Sequence, residues 1–153
     1  MKSYQLLFKQ NLPISLVEAW DFFSSPLNLE EITPDEMAFI VTSKLDKNTK
    51  MYPGMIITYK VSPIFGIKLN WMTEITQVEE GKYFIDEQRF GPFSFWHHQH
   101  HFKAIDGGVE MTDILTYGLP LGFLGTIAHK LLVGKKIKSI FKFREEKVKE
   151  LFG

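Results

Sequence analysis

The chain contains no cysteine. That excludes disulfide cross-links, thiolate nucleophiles and any cysteine-ligated zinc site. Nor is there a surplus of either charge, since 18 Lys and Arg balance 18 Asp and Glu. No global field therefore draws the protein to nucleic acid or to an anionic surface, and no nucleic-acid partner is expected. No apolar run approaches the roughly 20 residues of a spanning helix, so no integral membrane segment is expected either. Met1-Lys2-Ser3-Tyr4-Gln5 lacks the apolar stretch and small-residue cleavage pattern of a secretory leader, and the expected location is cytoplasmic. Repeats, low-complexity tracts and linkers are all missing. What the chain has in abundance is phenylalanine, at 14 of 153 residues, over a length that suits one domain, 1–153, with a sizeable core.

Tyr4–Leu12 alternates as a strand, and Pro13 ends it. Ser15 with Glu18 three residues on is a capping box, opening a short helix with Val17, Ala19, Trp20, Phe22 and Phe23. Pro26 opens a second helical piece, Leu27–Ile32, which Pro34 closes. Strands are then expected over Met37–Ser43, Met55–Val61, Ile67–Val78 and Tyr83–Phe90, the last following a tight turn at Glu80-Gly81. After a further hairpin, Pro120 ends the sheet and Gly122–Phe152 reads as one long helix. Leu124, Ile127, Ala128, Leu131, Ile137, Phe141, Val148 and Leu151 fall near one face of it. Lys130, Lys135, Lys136, Lys138, Lys142 and Arg144 are assigned to the other, solvated face. Gly134, in the middle, costs about 1 kcal/mol against alanine and marks a bend or a close contact. The expected fold class is α+β, a curved antiparallel sheet of about seven strands wrapped around the terminal helix, with incomplete packing that leaves a cavity.

The hairpin carries the functional argument. Asp106-Gly107 is a two-residue turn signal of type I′, with positive φ at both residues. Register follows by counting: Ile105 opposes Gly108, Phe102 opposes Met111, His100 opposes Asp113, His98 opposes Leu115 and Trp96 opposes Tyr117. Alternation then gives Trp96, His98, His100 and Phe102 one face with Met111, Asp113, Leu115 and Tyr117. That face is mostly apolar and is expected to point inward, while His97 and His101 face solvent or a neighbouring subunit, which keeps a homodimer among the partners. A tight turn at Glu80-Gly81 sets Ile75 opposite Asp86, Thr73 opposite Gln88 and Trp71 opposite Phe90. With Asp86 beside His98, the residues Asp86, Gln88, His98, His100 and Asp113 gather on three adjacent strands.

Part of this wording resembles a known group. Asp86, Gln88, Gly91, Pro92, Trp96, His98, His100, Phe102, Gly107, Gly108, Thr112, Asp113, Tyr117, Leu119, Pro120, Gly122 and Gly125 match a pattern of bacterial stand-alone members of the START-like, helix-grip superfamily. That superfamily includes pollen-allergen proteins, polyketide cyclases and lipid-transfer domains. The resemblance implies a fold and a pocket. It does not imply an occupant, because this scaffold hosts transport, catalysis and sensing alike.

A buried carboxylate needs a partner, and an imidazole opposite it satisfies both groups. Three uses stay open. The polar group fixes register and nothing more, it orients a ligand, or it works as a general base. The leading expectation is binding of a small, mainly hydrophobic molecule with a polar group, such as a lipid, polyketide-like or aromatic metabolite. Its candidate contacts are Trp71, Asp86, Gln88, Trp96, His98, His100, Phe102, Asp113 and Tyr117. The alternative is a cyclase or dehydratase with His98 or His100 as base and Asp113 orienting it, and the third is a regulatory protein-interaction module. No cofactor is called for. No metal is expected, since a flat strand face rarely gives tetrahedral convergence and no HExxH motif is present. Two apolar loops, Ser62–Ile67 and Leu121–Gly125, are candidate lids or packing elements.

Overall fold

The computed structural model describes residues 1–62 and 66–153. It opens with β1 (Ser3–Leu12), followed by α1 (Leu16–Phe23). Ser15 caps α1, its hydroxyl accepting from the Glu18 N–H at 3.1 Å. Pro26–Leu29 and Asp35–Met37 are single 3-10 turns. The remaining strands are β2 (Ile40–Val41), β3 (Met55–Val61), β4 (Leu69–Glu79), β5 (Tyr83–Phe90), β6 (Phe95–Ile105) and β7 (Gly108–Gly118). All pair antiparallel in one curved sheet ordered β1-β7-β6-β5-β4-β3-β2. The C-terminal helical run comprises α2 (Phe123–Ala128), a π-type stretch (His129–Val133) and α3 (Gly134–Phe152). This is an α+β helix-grip architecture.

The hairpin register is the one counted from sequence, from Ile105–Gly108 through His100–Asp113 to Trp96–Tyr117. The turn type differs. Only Gly107 has positive φ (78°), so this is no I′ turn, and the two-residue loop length alone sets the pairing. Gly108 is required for another reason: a Cβ there would lie 2.0 Å from the carbonyl oxygen of Leu12 on the neighbouring strand.

Between β4 and β5 the expected pairs Ile75–Asp86 and Thr73–Gln88 form, but by a different route. The connection takes three residues, because Glu79 pairs with Tyr83, and a bulge between Ile75 and Gln77 restores the register. A second shift beyond Thr73 sets Met72, not Trp71, opposite Phe90. The strand expected over Met37–Ser43 shrinks to Ile40–Val41. Met37 closes a 3-10 turn and Ala38 adopts the left-handed region at φ 46°, which interrupts any extended run.

The helix expected as one regular rod is interrupted by its π-type stretch. Beyond it α3 buries Gly134, Ile137, Phe141 and Val148. Before it Phe123, Leu124 and Ile127 are exposed, and within it so is Leu131; Leu124, Ile127 and Leu131 are residues assigned to the inner face. Arg144 also departs from expectation: it lies on the inner stripe with Ile137, Phe141 and Val148, not among the surface lysines. Three apolar clusters anchor the helix and sheet, around Trp20 and Phe102, around Leu115 and Phe141, and around Ile57 and Ile75. Among the described residues no helix is long and apolar enough to cross a membrane.

Candidate functional site

A hollow of about 500 Å³ lies between the inner face of the sheet and the C-terminal helical run. Its floor comes from alternate residues of the middle strands: Ile57 and Tyr59 on β3, Trp71, Thr73 and Ile75 on β4, Phe84 and Asp86 on β5, and Trp96, His98 and His100 on β6. Its roof is Ile137, Ile140, Phe141 and Arg144, and Leu119–Leu121 and Leu124 border it where the chain leaves the sheet. Leu121 is left-handed there (φ 70°), an uncommon state for a branched side chain.

The hairpin parity brings two imidazoles and two carboxylates into a closed ring of contacts. His98 Nε2 lies 2.8 Å from Asp113 Oδ1, and His100 Nε2 lies 2.6 Å from Asp86 Oδ2. The directly opposed pairs are the longer ones, with His100 Nδ1 3.2 Å from Asp113 Oδ1 and His98 Nδ1 3.6 Å from Asp86 Oδ2. The rings of His98 and His100 are 3.7 Å apart, and Phe84 stacks on His100 at 4.1 Å. His98 is 4 % exposed, so two histidines this close cannot both carry charge cheaply.

The shifts sort the pair. Burial pushes His100 down, but its contacts with Asp113 and Asp86 prevail and raise its pKa above the ordinary value. For His98, burial and the neighbouring His100 charge win over Asp113, and its pKa falls. Burial alone would raise both carboxyls. The hydrogen bonds and charges of the histidines overcome it, holding Asp86 below and Asp113 well below the usual carboxylate range. Of the two imidazoles His100 is therefore the one its surroundings favour as a cation and His98 the one they favour as neutral, each lying against a carboxylate held in its charged form. Tyr59 hydrogen-bonds Thr73, which also accepts from Trp71 Nε1 at 3.1 Å. Burial pushes the Tyr59 hydroxyl far up, so it remains a neutral donor. One oxygen or nitrogen each from Asp86, His98 and His100 lie within 4.8 Å of one another, a spacing a metal ion could exploit. The ring nitrogens are however already turned to carboxylates.

Of the nine residues singled out in the sequence, Trp71, Asp86, Trp96, His98 and His100 line the hollow. Asp113 stands behind the imidazoles, beside a small crevice of about 40 Å³. Gln88 is committed elsewhere: its amide donates to the Phe93 carbonyl at 2.7 Å and accepts from the Phe93 N–H at 3.0 Å, stapling the β5–β6 connection. Phe102 packs edge-on to Trp20 at 5.4 Å in the core. Tyr117 is fully buried, sharing a 2.6 Å hydrogen bond with His129 Nε2. His97 and His101 take the opposite face, His101 bonding Gln99 at 2.9 Å. Sequence reasoning overlooked Tyr59, Phe93 and Arg144. For Arg144 a signal existed, because it completes the 4-3-4 spacing Ile137-Phe141-Arg144-Val148. Half of the Ser62–Ile67 loop expected as a lid, residues 63–65, lies outside the described residues.

No protein-family model matches the sequence, and no curated protein matches it. Solved structures do match. Protein CV1439 from Chromobacterium violaceum superposes with a TM-score of 0.73 at 11% identity, covering 97% of this chain and 96% of that one. Protein Ms6760 from Mycobacterium smegmatis gives 0.65 at 19% identity over 94% and 90%. Ara h 8.0201 gives 0.59 at 16% identity over 96% and 98%. The chain therefore shares the helix-grip fold of these proteins across nearly its whole length.

Proposed function

We propose that this protein binds a small, mainly hydrophobic molecule carrying a polar group, of lipid, polyketide-like or aromatic kind, in the hollow between sheet and helix. The observation that carries this reading is the hollow itself. At about 500 Å³ it falls within the range of small-molecule sites, and it has the usual lining of rings and aliphatics with a few convergent polar groups. Trp71, Phe93 and Trp96 form an aromatic wall, with Trp71 and Trp96 edge-to-face at 5.1 Å. His98, His100 and Asp86 supply the polar wall. The cytoplasm is the compartment in which we place this binding.

Three of the four imidazole nitrogens lie within 3.2 Å of a carboxylate, which favours binding over cyclase or dehydratase chemistry and leaves His98 Nδ1, 3.6 Å from Asp86, as the nitrogen an enzymatic reading would use. A general base needs a nitrogen lone pair aimed at a substrate proton. Both nitrogens of His100 face carboxylates, and Nε2 of His98 does too.

Titration with the uncharged fluorophore phenyl-naphthylamine tests the reading, alongside native mass spectrometry of protein purified from its own host. Saturable fluorescence enhancement and a co-purified small molecule are expected. Alanine at His100 or Asp113 should shift affinity only modestly. An absence of uptake would defeat the reading, and a turnover abolished by either substitution would convert it into the enzymatic one.

A further inference from the structure

Arg144 is the one cation that faces the hollow from the helix without an ion-pair partner among the described residues. It occupies an inner-stripe position whose neighbours Ile137, Phe141 and Val148 are buried and apolar. Its Nε is buried with no hydrogen-bond partner, and its guanidinium lies 5.0 Å from the Phe141 ring. The closest carboxylates in kind, Asp86 and Asp113, are engaged by the two histidines. They attract Arg144 only at longer range, against the burial that pulls its pKa down. An unsatisfied buried donor is unfavourable, and a guanidinium fork is shaped for two parallel bonds to a planar anion.

Resting on the binding reading above, we infer that Arg144 is the anchor for an anionic head group, and that the ligand is an amphiphile ending in a carboxylate. Its head meets Arg144 beside Tyr59, and its apolar body runs along Trp71, Phe93 and Trp96 toward Leu121 and Leu124. Charge selects carboxylate over phosphate. Two carboxylates already stand at the site, Asp86 on the wall of the hollow and Asp113 behind the imidazoles, so every ligand charge is added to theirs. One added negative charge is tolerated there far better than two.

The test compares dodecanoic acid, methyl dodecanoate and dodecyl phosphate by calorimetry on the wild-type chain, Arg144→Met and Arg144→Lys. Wild type should prefer the acid over the ester by about ten- to a hundredfold, the scale of a hydrogen-bonded charge. Arg144→Met should erase that preference, so that acid and ester bind alike. Arg144→Lys, which keeps the charge but loses the fork, should retain part of it. Thermal melting should show Arg144→Met no less stable than wild type, since a desolvated cation is replaced by an apolar chain. Should that variant not fold, the Arg144→Lys comparison still decides. Equal binding of acid and ester by wild type, or a preference that survives in Arg144→Met, would overturn the anchor while the binding reading stands. Tighter binding of dodecyl phosphate would overturn the choice of carboxylate. If neither amphiphile nor phenyl-naphthylamine enters, the binding reading falls and the anchor with it.

Discussion

At Asp113 two imidazoles compete for one carboxylate, and the directions of the shifts predict how the site titrates. A histidine-resolved NMR titration should give two apparent steps on either side of about pH 6.5, the upper one followed mainly at His100 and the lower at His98. The reverse order would refute the geometry of the ring. Stability follows by linkage. The folded pKa of His100 is raised, so its contribution is complete below about pH 6.5 and is lost as pH climbs through the folded value. The folded values of Asp86 and Asp113 are depressed, so theirs is present above about pH 3.8 and is lost as pH falls through the folded values. His98, depressed as well, weakens the fold on acidification below about pH 6.5. Urea unfolding should therefore show a loss of stability on the alkaline side that is absent in His100→Gln. Asp113→Asn takes from His98 its one close carboxylate, while His100 keeps Asp86, and should lower stability by about 3 kcal/mol, read as a reduced midpoint at unchanged slope. Legibility at this scale was uneven for a physical reason. A two-residue loop fixes every opposite pair on a hairpin, so His98, His100 and Asp113 could be counted onto one face, while Asp86 on β5 joined them through a supposed pairing with His98 that does form. Gln88 shares the parity but was claimed by the backbone at Phe93, which no alternation rule foresees.

The C-terminal helical run shows what periodicity can and cannot deliver. Its extent was readable from Pro120 and the apolar spacing, but the π-type stretch at His129–Val133 was not. Each residue turns an α-helix by about 100°, so one extra residue in a turn rotates everything before it relative to everything after. A single 3.6-residue template therefore placed Ile137, Phe141 and Val148 of α3, but it put Arg144 on the wrong face and assigned to the interior Leu124, Ile127, Leu131 and Leu151, which are exposed. Gly134, read as a bend or close contact, follows the widened turn directly. A Cβ there would meet His129 Nε2 at 2.9 Å and Cε1 at 3.0 Å. His129 is held in turn by Tyr117 and by stacking on Tyr4 at 3.5 Å. Two effects oppose each other in Gly134→Ala: a helix-propensity gain of about 1 kcal/mol and displacement of that ring. The expected outcome is no stabilisation in the wild-type background. In His129→Ala, where the obstacle is gone, the same change should stabilise by about 1 kcal/mol. Equal effects in both backgrounds would mean that the ring does not dictate the glycine.

For the molecule as a whole, the decisive question is whether the space between sheet and helix is open or filled. Curvature of the sheet and the single helical cover imply a gap, but only side-chain volumes determine its size, and those were not available from element order. Enlarging a residue in a close-packed core forces neighbours off their rotamers and costs about 1–3 kcal/mol. Ile57 is 3% exposed and sits on the floor of the hollow, paired across the sheet with Thr73. If that floor borders free space, Ile57→Phe projects its ring into the hollow and replaces void with contacts. The expected cost is then under about 1 kcal/mol, below the overpacking range, with a gain possible as cavity-facing surface is covered. The same ring should reduce the saturating signal of phenyl-naphthylamine by occupying its site. Ile75→Phe makes the comparison sharper. Ile75 borders the hollow too, yet at 1% exposure it is the most buried of its cluster and faces Met55 across the sheet, so there the overpacking penalty should apply. Urea unfolding and probe titration of both variants separate the alternatives. A mild Ile57→Phe with diminished uptake, beside a destabilised Ile75→Phe, is the signature of a fold built around an interior it leaves vacant for a guest; equal penalties at both positions would mean the interior is solid.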